Sequence, residues 1–292
     1  MTKTIQIWLS AFRLRTLPLA TASIALGSFL AASEGAFEWH IAMLCFVTAV
    51  LLQVLANLAN DYGDAVHGAD SENRIGPKRA TQSGLISTKT MRLALVILVL
   101  LCLGVGFILV RGQSPIFYLA GLAAIAAALA YTAGPRPYGY AGLGDLFVFL
   151  FFGIVGVFGS CYLQTQHLDL QIILPAASCG FFCVAVLNVN NIRDLTSDKL
   201  SGKHTLPVRL GEKNARIYHA ILLALGFGTA FVFTLLNWQT IYQFLYFMTL
   251  PLVLVNGRAV LKTESAALDP YLKQLALTTM LFSLTFGLGT LI

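Results

Sequence analysis

The 292-residue chain reads as an all-α polytopic membrane protein on three observations: its composition, the length of its uncharged runs and the placement of its charges. Hydrophobic residues make up 57% of it and charged residues 11%, against about 25% charged in soluble domains, and mean hydropathy is +0.77. A soluble globular domain is excluded on these figures, and the lack of any Gly or Pro period excludes a fibrous chain.

Eight stretches contain no Asp, Glu, Lys or Arg: 16–33, 39–60, 93–110, 112–135, 146–168, 170–192, 217–257 and 274–292. A helix crossing a bilayer needs about 20 mainly apolar residues, and seven of these stretches suit one crossing each. The stretch 217–257 is long enough for two, and Asn237-Trp238-Gln239 marks a tight turn between them. Nine transmembrane helices are predicted, because backbone in lipid must satisfy its own hydrogen bonds and lone strands cannot. Alternating the loops across these spans puts 18 of the 19 lysines and arginines on one side, with Arg111 opposite. By the positive-inside rule that side, including the N-terminus, is cytoplasmic. The net charge of +6 therefore reports topology, with no nucleic-acid motif beside it. Arg13 and Arg15 before an apolar run resemble a secretory leader, but a long polar lead with Trp8 and eight more spans argue against one.

Cys45, Cys102, Cys161, Cys179 and Cys183 all fall inside spans without metal or disulfide spacing, and read as small apolar side chains. His40, His167 and His219 read as interfacial, while His67 and His204 lie in acid-bearing loops. Ten of the 13 acids lie on the cytoplasmic side, so the working face is expected there.

Two long loops, roughly 61–91 and 193–216, each open on an Asn/Asp cluster at the end of a span. The first reads Asn57-Leu-Ala-Asn60-Asp61-Tyr-Gly-Asp64 and continues to Asp70; the second reads Asn188-Val-Asn190-Asn191-Ile-Arg193-Asp194 and continues to Asp198. Asn57, Asp61 and Asp64 share one helical face, as do Asn190, Asp194 and Asp198. Asn60 and Asp64 recur as Asn190 and Asp194 after 130 residues, four helices later, which suggests two related four-helix halves plus one helix around a central cavity. Carboxylates and amide oxygens on one face are hard ligands suited to Mg²⁺, which bridges to substrate phosphates. Arg74, Lys78 and Arg79 follow the first cluster, and Lys203 and Arg209 the second, as cations for phosphate oxygens. A third cytoplasmic segment, 131–145, holds Tyr131, Tyr138, Tyr140, Arg136 and Asp145 among glycines and prolines that exclude regular helix.

These four blocks resemble the UbiA-type superfamily of intramembrane aromatic prenyltransferases over nearly the whole chain. The first cluster, with Arg74-Ile-Gly-Pro-Lys78-Arg79, the segment 131–145, and the run from Asn190 to Gly211 are most similar to the branch acting on 1,4-dihydroxy-2-naphthoate in menaquinone synthesis. The six-residue gap from Asp64 to Asp70, longer than the superfamily's usual four, is also similar to that branch. The resemblance implies one integral-membrane domain over 1–292, with motifs at 57–79 and 188–211. It implies transfer of a polyprenyl group from its diphosphate to 1,4-dihydroxy-2-naphthoate with loss of carbon dioxide, giving demethylmenaquinone. Implied metal ligands, for Mg²⁺, are drawn from Asn57, Asn60, Asp61, Asp64, Asp70, Asn190, Asn191, Asp194 and Asp198, with the choice between Asp61 and Asp70 open. Arg74, Lys78, Arg79, Arg193 and Lys203 would hold the diphosphate; Arg136, Tyr138, Tyr140 and Asp145 the acceptor; Asp64, Asp194, Lys78, Arg136 and Tyr131 would carry the chemistry. The expected partners are polyprenyl diphosphate, the naphthoate and membrane lipid, without nucleic acid, in a bacterial inner membrane with the site facing the cytoplasm. The same chemistry on 4-hydroxybenzoate is the alternative. A cation transporter is more distant, because it would place acids near the bilayer midplane.

Overall fold

A computed structural model describes residues 2–68, 79–167 and 169–292. Every regular element among them is helical. Eight helices are long and apolar enough to cross a membrane: Lys3–Ser33, Trp39–Val66, Thr88–Val110, Gly144–Thr165, Leu170–Arg193, Glu212–Leu236, Ile241–Lys262 and Asp269–Leu291. Within the first of these, Lys3–Ala11 is a separate helix, joined at Arg13 to Leu17–Ser33. Large apolar side chains on the outside, such as Leu100 and Ile108 at 63% and 60% exposed, form a surface suited to contact with lipid.

The expected break at 237–239 is present. Glu212–Leu236 ends there, and Gln243 accepts from the N–H groups of Gln239 (2.8 Å) and Thr240 (3.4 Å), capping the start of Ile241–Lys262. The run 112–135 delivers less helix than expected. Pro115 sits at the first helical turn and the chain leaves the helix after Ala130, so Pro115–Ala130 spans 16 residues, about 24 Å.

Among the described residues the bundle has two large apolar cores. One gathers Trp39–Val66, Thr88–Val110, Pro115–Ala130 and the N-terminal helix around Leu55, Leu58, Met91 and Leu95. The other centres on Leu170–Arg193, where Phe182 packs on Phe282 at 4.7 Å and Tyr246 on Phe286 at 5.3 Å. Helices in lipid associate through close packing rather than a hydrophobic drive. All five cysteines are free and buried, as expected of apolar side chains. His219 departs from its interfacial expectation: it is fully buried and meets Asn256 at 3.0 Å, because a neutral imidazole with an amide partner can sit inside the bundle.

Between the two cores runs a cavity of about 1310 Å³. Its wall is apolar along most of its length and polar at one end, where Arg15, Asn60, Tyr131 and Asn190 reach it.

Candidate active site

The helix Trp39–Val66 continues past its apolar run, so Asn57 to Asp64 stay helical and are carried into the protein. Asp64 is fully buried and receives three donors. Tyr140 Oη donates to it at 2.5 Å, Lys203 Nζ stands 3.1 Å from both carboxylate oxygens, and Arg79 pairs with it directly. Arg79 also donates to the side-chain oxygen of Asn60 at 2.9 Å and to its carbonyl.

The other two members of that helical face are hydrogen-bonded within the protein. Both oxygens of Asp61 accept backbone N–H groups, from Ala80 at 3.0 Å and Thr81 at 3.1 Å, so Asp61 anchors the returning turn that carries Arg79. Asn57 donates to Phe12 O (2.9 Å) and Thr16 Oγ1 (3.0 Å) and ties down the N-terminal segment. Asp70, Arg74 and Lys78 lie outside the described residues.

In the second cluster the helix Leu170–Arg193 stops, yet its bond pattern persists: Asp194 N–H donates to Asn190 O at 3.1 Å and Asp198 N–H to Asp194 O at 2.8 Å. Asn190, Asp194 and Asp198 therefore stay one turn apart, as their spacing predicts. Arg193, 1% exposed, grips both oxygens of Asp194 at 2.9 and 2.7 Å and the side chain of Asn190 at 2.9 Å. Its remaining arm reaches Asp269, which Arg15 also holds at 3.1 Å through both oxygens. Arg193, expected to face a diphosphate, is thus committed to three side chains of its own chain. Asn191 is buried on the same helix.

The two clusters meet at Lys203. Its ammonium lies 3.1 Å from Asp64 and 3.8 Å from Asp198, and 4.8 Å from the ring centre of Tyr140. The segment 131–143, irregular as expected, is stitched to the second loop: His204 N–H donates to Tyr140 O (2.8 Å), and Arg209 donates to Ala141 O (2.8 Å) and His204 O (3.0 Å). Gly63 lets this segment approach the first motif, since a Cβ there would lie 2.5 Å from Thr132 O. Gly63→Ala is expected to cost about 1–3 kcal/mol of stability by overpacking, readable as a lowered melting temperature; an unchanged melt would contradict that contact.

Tyr131 and Tyr138 line the cavity. Tyr138 stacks on Phe147 at 4.1 Å and donates to Ala127 O at 3.0 Å. Burial pushes both phenols above their ordinary range, with nearby acids adding to the effect at Tyr131, so both stay neutral at physiological pH. The residues expected beside an acceptor disperse. Arg136 is exposed and outside the cavity wall, Tyr140 is bonded to Asp64, and Asp145 accepts from Tyr218 at 3.1 Å. Sequence reasoning missed Asp269 and Tyr218, each one of many polar residues near helix ends; Arg15 could reach this face from its place ahead of Thr16-Leu17-Pro18, but topology alone explained it.

Among the described residues no three Asp, Glu, His or Cys side chains form a metal-holding group by themselves. What they do form is a pair of oxygen-rich helix ends, joined by Lys203, and the Asn60 and Asn190 of these ends line the polar end of a long, mostly apolar cavity in a helical bundle. That defines a class: a membrane enzyme that takes a charged head and an apolar tail together. The UbiA prenyltransferase family profile matches residues 20–285, and the chain belongs to that family. It is 45% identical to the 1,4-dihydroxy-2-naphthoate octaprenyltransferase of Escherichia coli (strain K12), over 97% of this chain and 94% of that one. It is 42% identical to the protein of the same name from Haemophilus influenzae, over 99% and 96%. Among solved structures, a UbiA homolog from Archaeoglobus fulgidus bound to GPP and Mg²⁺ shares the fold at TM-score 0.70 and 16% identity, over 98% of this chain and 99% of that one. The protein is a prenyltransferase.

Proposed function

We propose that this enzyme transfers a polyprenyl group from its diphosphate to the carboxylate-bearing ring carbon of 1,4-dihydroxy-2-naphthoate, yielding the demethylmenaquinone skeleton. The allylic C–O bond to diphosphate breaks, the new C–C bond forms, and the carboxylate leaves as carbon dioxide. The observation that carries the chemistry is Lys203, which joins Asp64 of one motif to Asp198 of the other and so makes a single charged centre beside Asn60 and Asn190, the motif residues that line the polar end of the cavity.

The donor set fits Mg²⁺: Asn60, Asp64, Asn190, Asp194 and Asp198 offer only hard oxygens, with Asp70 assigned to the same set from its place in the motif. Bound there, Mg²⁺ would offset the charge of the departing diphosphate. Lys203 and Arg79, already held beside Asp64, supply further positive charge, and Arg74 and Lys78 are assigned to the same role. Arg193 orients Asp194 and Asn190 rather than touching substrate. Tyr131, Tyr138 and Phe147 give the allylic cation an aromatic, water-poor wall, and neutral phenols keep that wall from adding charge. The apolar length of the cavity takes the prenyl tail, and Arg13 and Arg15 at its polar rim, rather than Arg136, are the cations that line it within reach of an acceptor carboxylate.

In this reading Pro115–Ala130 is a ninth, shorter span, the two motifs mark two related halves of one domain, and the N-terminus and active site face the cytoplasm of a bacterial inner membrane. Purified protein given a polyprenyl diphosphate and the naphthoate is expected to form the prenylated naphthohydroquinone, read as the quinone after oxidation by air, and carbon dioxide only with Mg²⁺. Product from 4-hydroxybenzoate alone would retain the family and remove the acceptor; metal-independent product would remove the Mg²⁺ role.

A further inference from the structure

A groove of about 350 Å³ opens on the outside of the bundle between Ile241–Lys262 and Asp269–Leu291, and it shares no lining residue with the central cavity. Its base is braced. Gln274 donates to Leu252 O and to Thr278 Oγ1, both at 3.0 Å, and accepts from Asn256 at 2.6 Å. Asn256 in turn meets the buried His219, so the brace continues into Glu212–Leu236. These bonds fix the spacing of the two helices and satisfy the Gln274 amide, so the groove belongs to the fold.

The lining has the polarity of an amphiphile. Lys273, Leu277 and Leu281 recur at i, i+4 and i+8 on one helical face, and all three are exposed. Over about 12 Å of helix rise that face passes from an ammonium to two leucines, with Leu252 on the neighbouring helix. In the proposed orientation Asp269–Leu291 starts at the cytoplasmic surface. Lys273 then stands one turn inside, where a lysine extends to the headgroups, and the leucines lie at acyl-chain depth.

Lys273 is the charged residue of the groove, and its helical partner is already taken. Asp269, four residues earlier, would pair with it on an isolated helix, but Asp269 accepts from Arg15 and Arg193. Among the described residues Lys273 has no acidic partner, and neither do Arg258 and Lys262, both exposed on the neighbouring helix. The groove therefore offers uncompensated positive charge at one end and apolar length at the other.

We propose that this groove binds one anionic phospholipid of the cytoplasmic leaflet, with its phosphate on Lys273 and an acyl chain along Leu252, Leu277 and Leu281. A zwitterionic lipid brings the same chains without net charge and gains only the apolar contact. Pro270 also lines the groove and directly follows Asp269, so the bound lipid adjoins the brace that runs from Asp269 through Arg193 to Asp194. The inference goes beyond the reaction and rests on the proposed reading only for the orientation in the membrane.

The test titrates the purified protein in uncharged detergent with dioleoyl phosphatidylglycerol or dioleoyl phosphatidylcholine. Retained lipid is read by native mass spectrometry. Wild-type protein is expected to hold phosphatidylglycerol about fivefold more tightly, the effect of one lysine at an anionic lipid surface. Lys273→Gln is expected to remove that preference and Lys273→Arg to keep it. Leu277→Trp fills the groove and is expected to weaken retention of both lipids. Lys89→Gln, at an exposed lysine outside the groove, is expected to leave the preference at the wild-type value. Equal affinity for the two lipids in wild-type protein overturns the proposal. So do equal losses in Lys273→Gln and Lys89→Gln, which would mean diffuse surface charge. Altered protomer association in Leu277→Trp with lipid retention unchanged overturns it in favour of a second copy of the chain. If Lys273→Gln does not fold, Leu277→Trp and the wild-type preference decide. Binding is read without turnover, so its failure leaves the proposed reaction standing, and a failed prenyl-transfer assay leaves the lipid site standing.

Discussion

Asp64→Asn is expected to reduce turnover by about 10³-fold or more, the loss seen when a preorganised electrostatic group is removed from an active site. The magnitude follows from its surroundings. The carboxylate is fully buried, and Tyr140, Lys203 and Arg79 all converge on it. Neutralising it leaves two cations facing an amide, and breaking a buried pair in this way costs about 3–5 kcal/mol. The variant is therefore expected to melt earlier as well as to lose activity. Those two losses separate in the double variant Asp64→Asn/Lys203→Met, which removes one stranded cation: stability is expected to return in part, activity not at all. Recovery of turnover in the double variant would mean that Asp64 acts only by balancing Lys203.

Asp194→Ala is expected to be equally inactive, with a graded series behind it. Arg193 holds both oxygens of Asp194 and is itself held by Asp269, so in the proposed site Asp269 would act as a positioning residue, reaching Asp194 through Arg193. Asp269→Asn keeps a hydrogen-bond acceptor but removes the charge that Arg15 and Arg193 share, and is expected to lower kcat by about tenfold with a smaller change in KM for the diphosphate. The same network predicts a Mg²⁺ requirement shifted to higher concentration, because a looser Asp194 is a weaker ligand. Asp269→Asn with wild-type kcat and wild-type Mg²⁺ dependence would show that the Arg193 contact is only structural. Cys179→Ser, on the same helix, is expected to keep most activity, and measuring it beside Asp269→Asn controls for general loosening of the bundle.

The paired spacing of Asn60 and Asp64 with Asn190 and Asp194 was enough to locate both halves of the charged centre, because a helix turns that spacing directly into a common face. The same periodicity could not separate Asp61 from Asp64. Both lie on the predicted face and both are buried, yet one accepts two backbone N–H groups from the turn at 79–81 and the other meets three side-chain donors. Arg136 looked suited to an acceptor because it is the single cation of its loop. The loop instead turns Tyr138 and Tyr131 toward the cavity and leaves Arg136 exposed. Asp269 gave no local signal at all, since its partners Arg15 and Arg193 stand 254 and 76 residues away along the chain.

Composition, charge placement and helical spacing point to a multi-pass membrane chain and to two oxygen-rich helix ends at the starts of its charged loops. These are properties of short stretches, governed by transfer into lipid and by the 3.6-residue turn, and they need no partner to be read. The tertiary structure alone decides which acid anchors a turn and which faces cations, that Lys203 joins the two motifs, and which residues line the cavity. Those outcomes depend on contacts between residues far apart in sequence, whose energies exist only once the helices have packed.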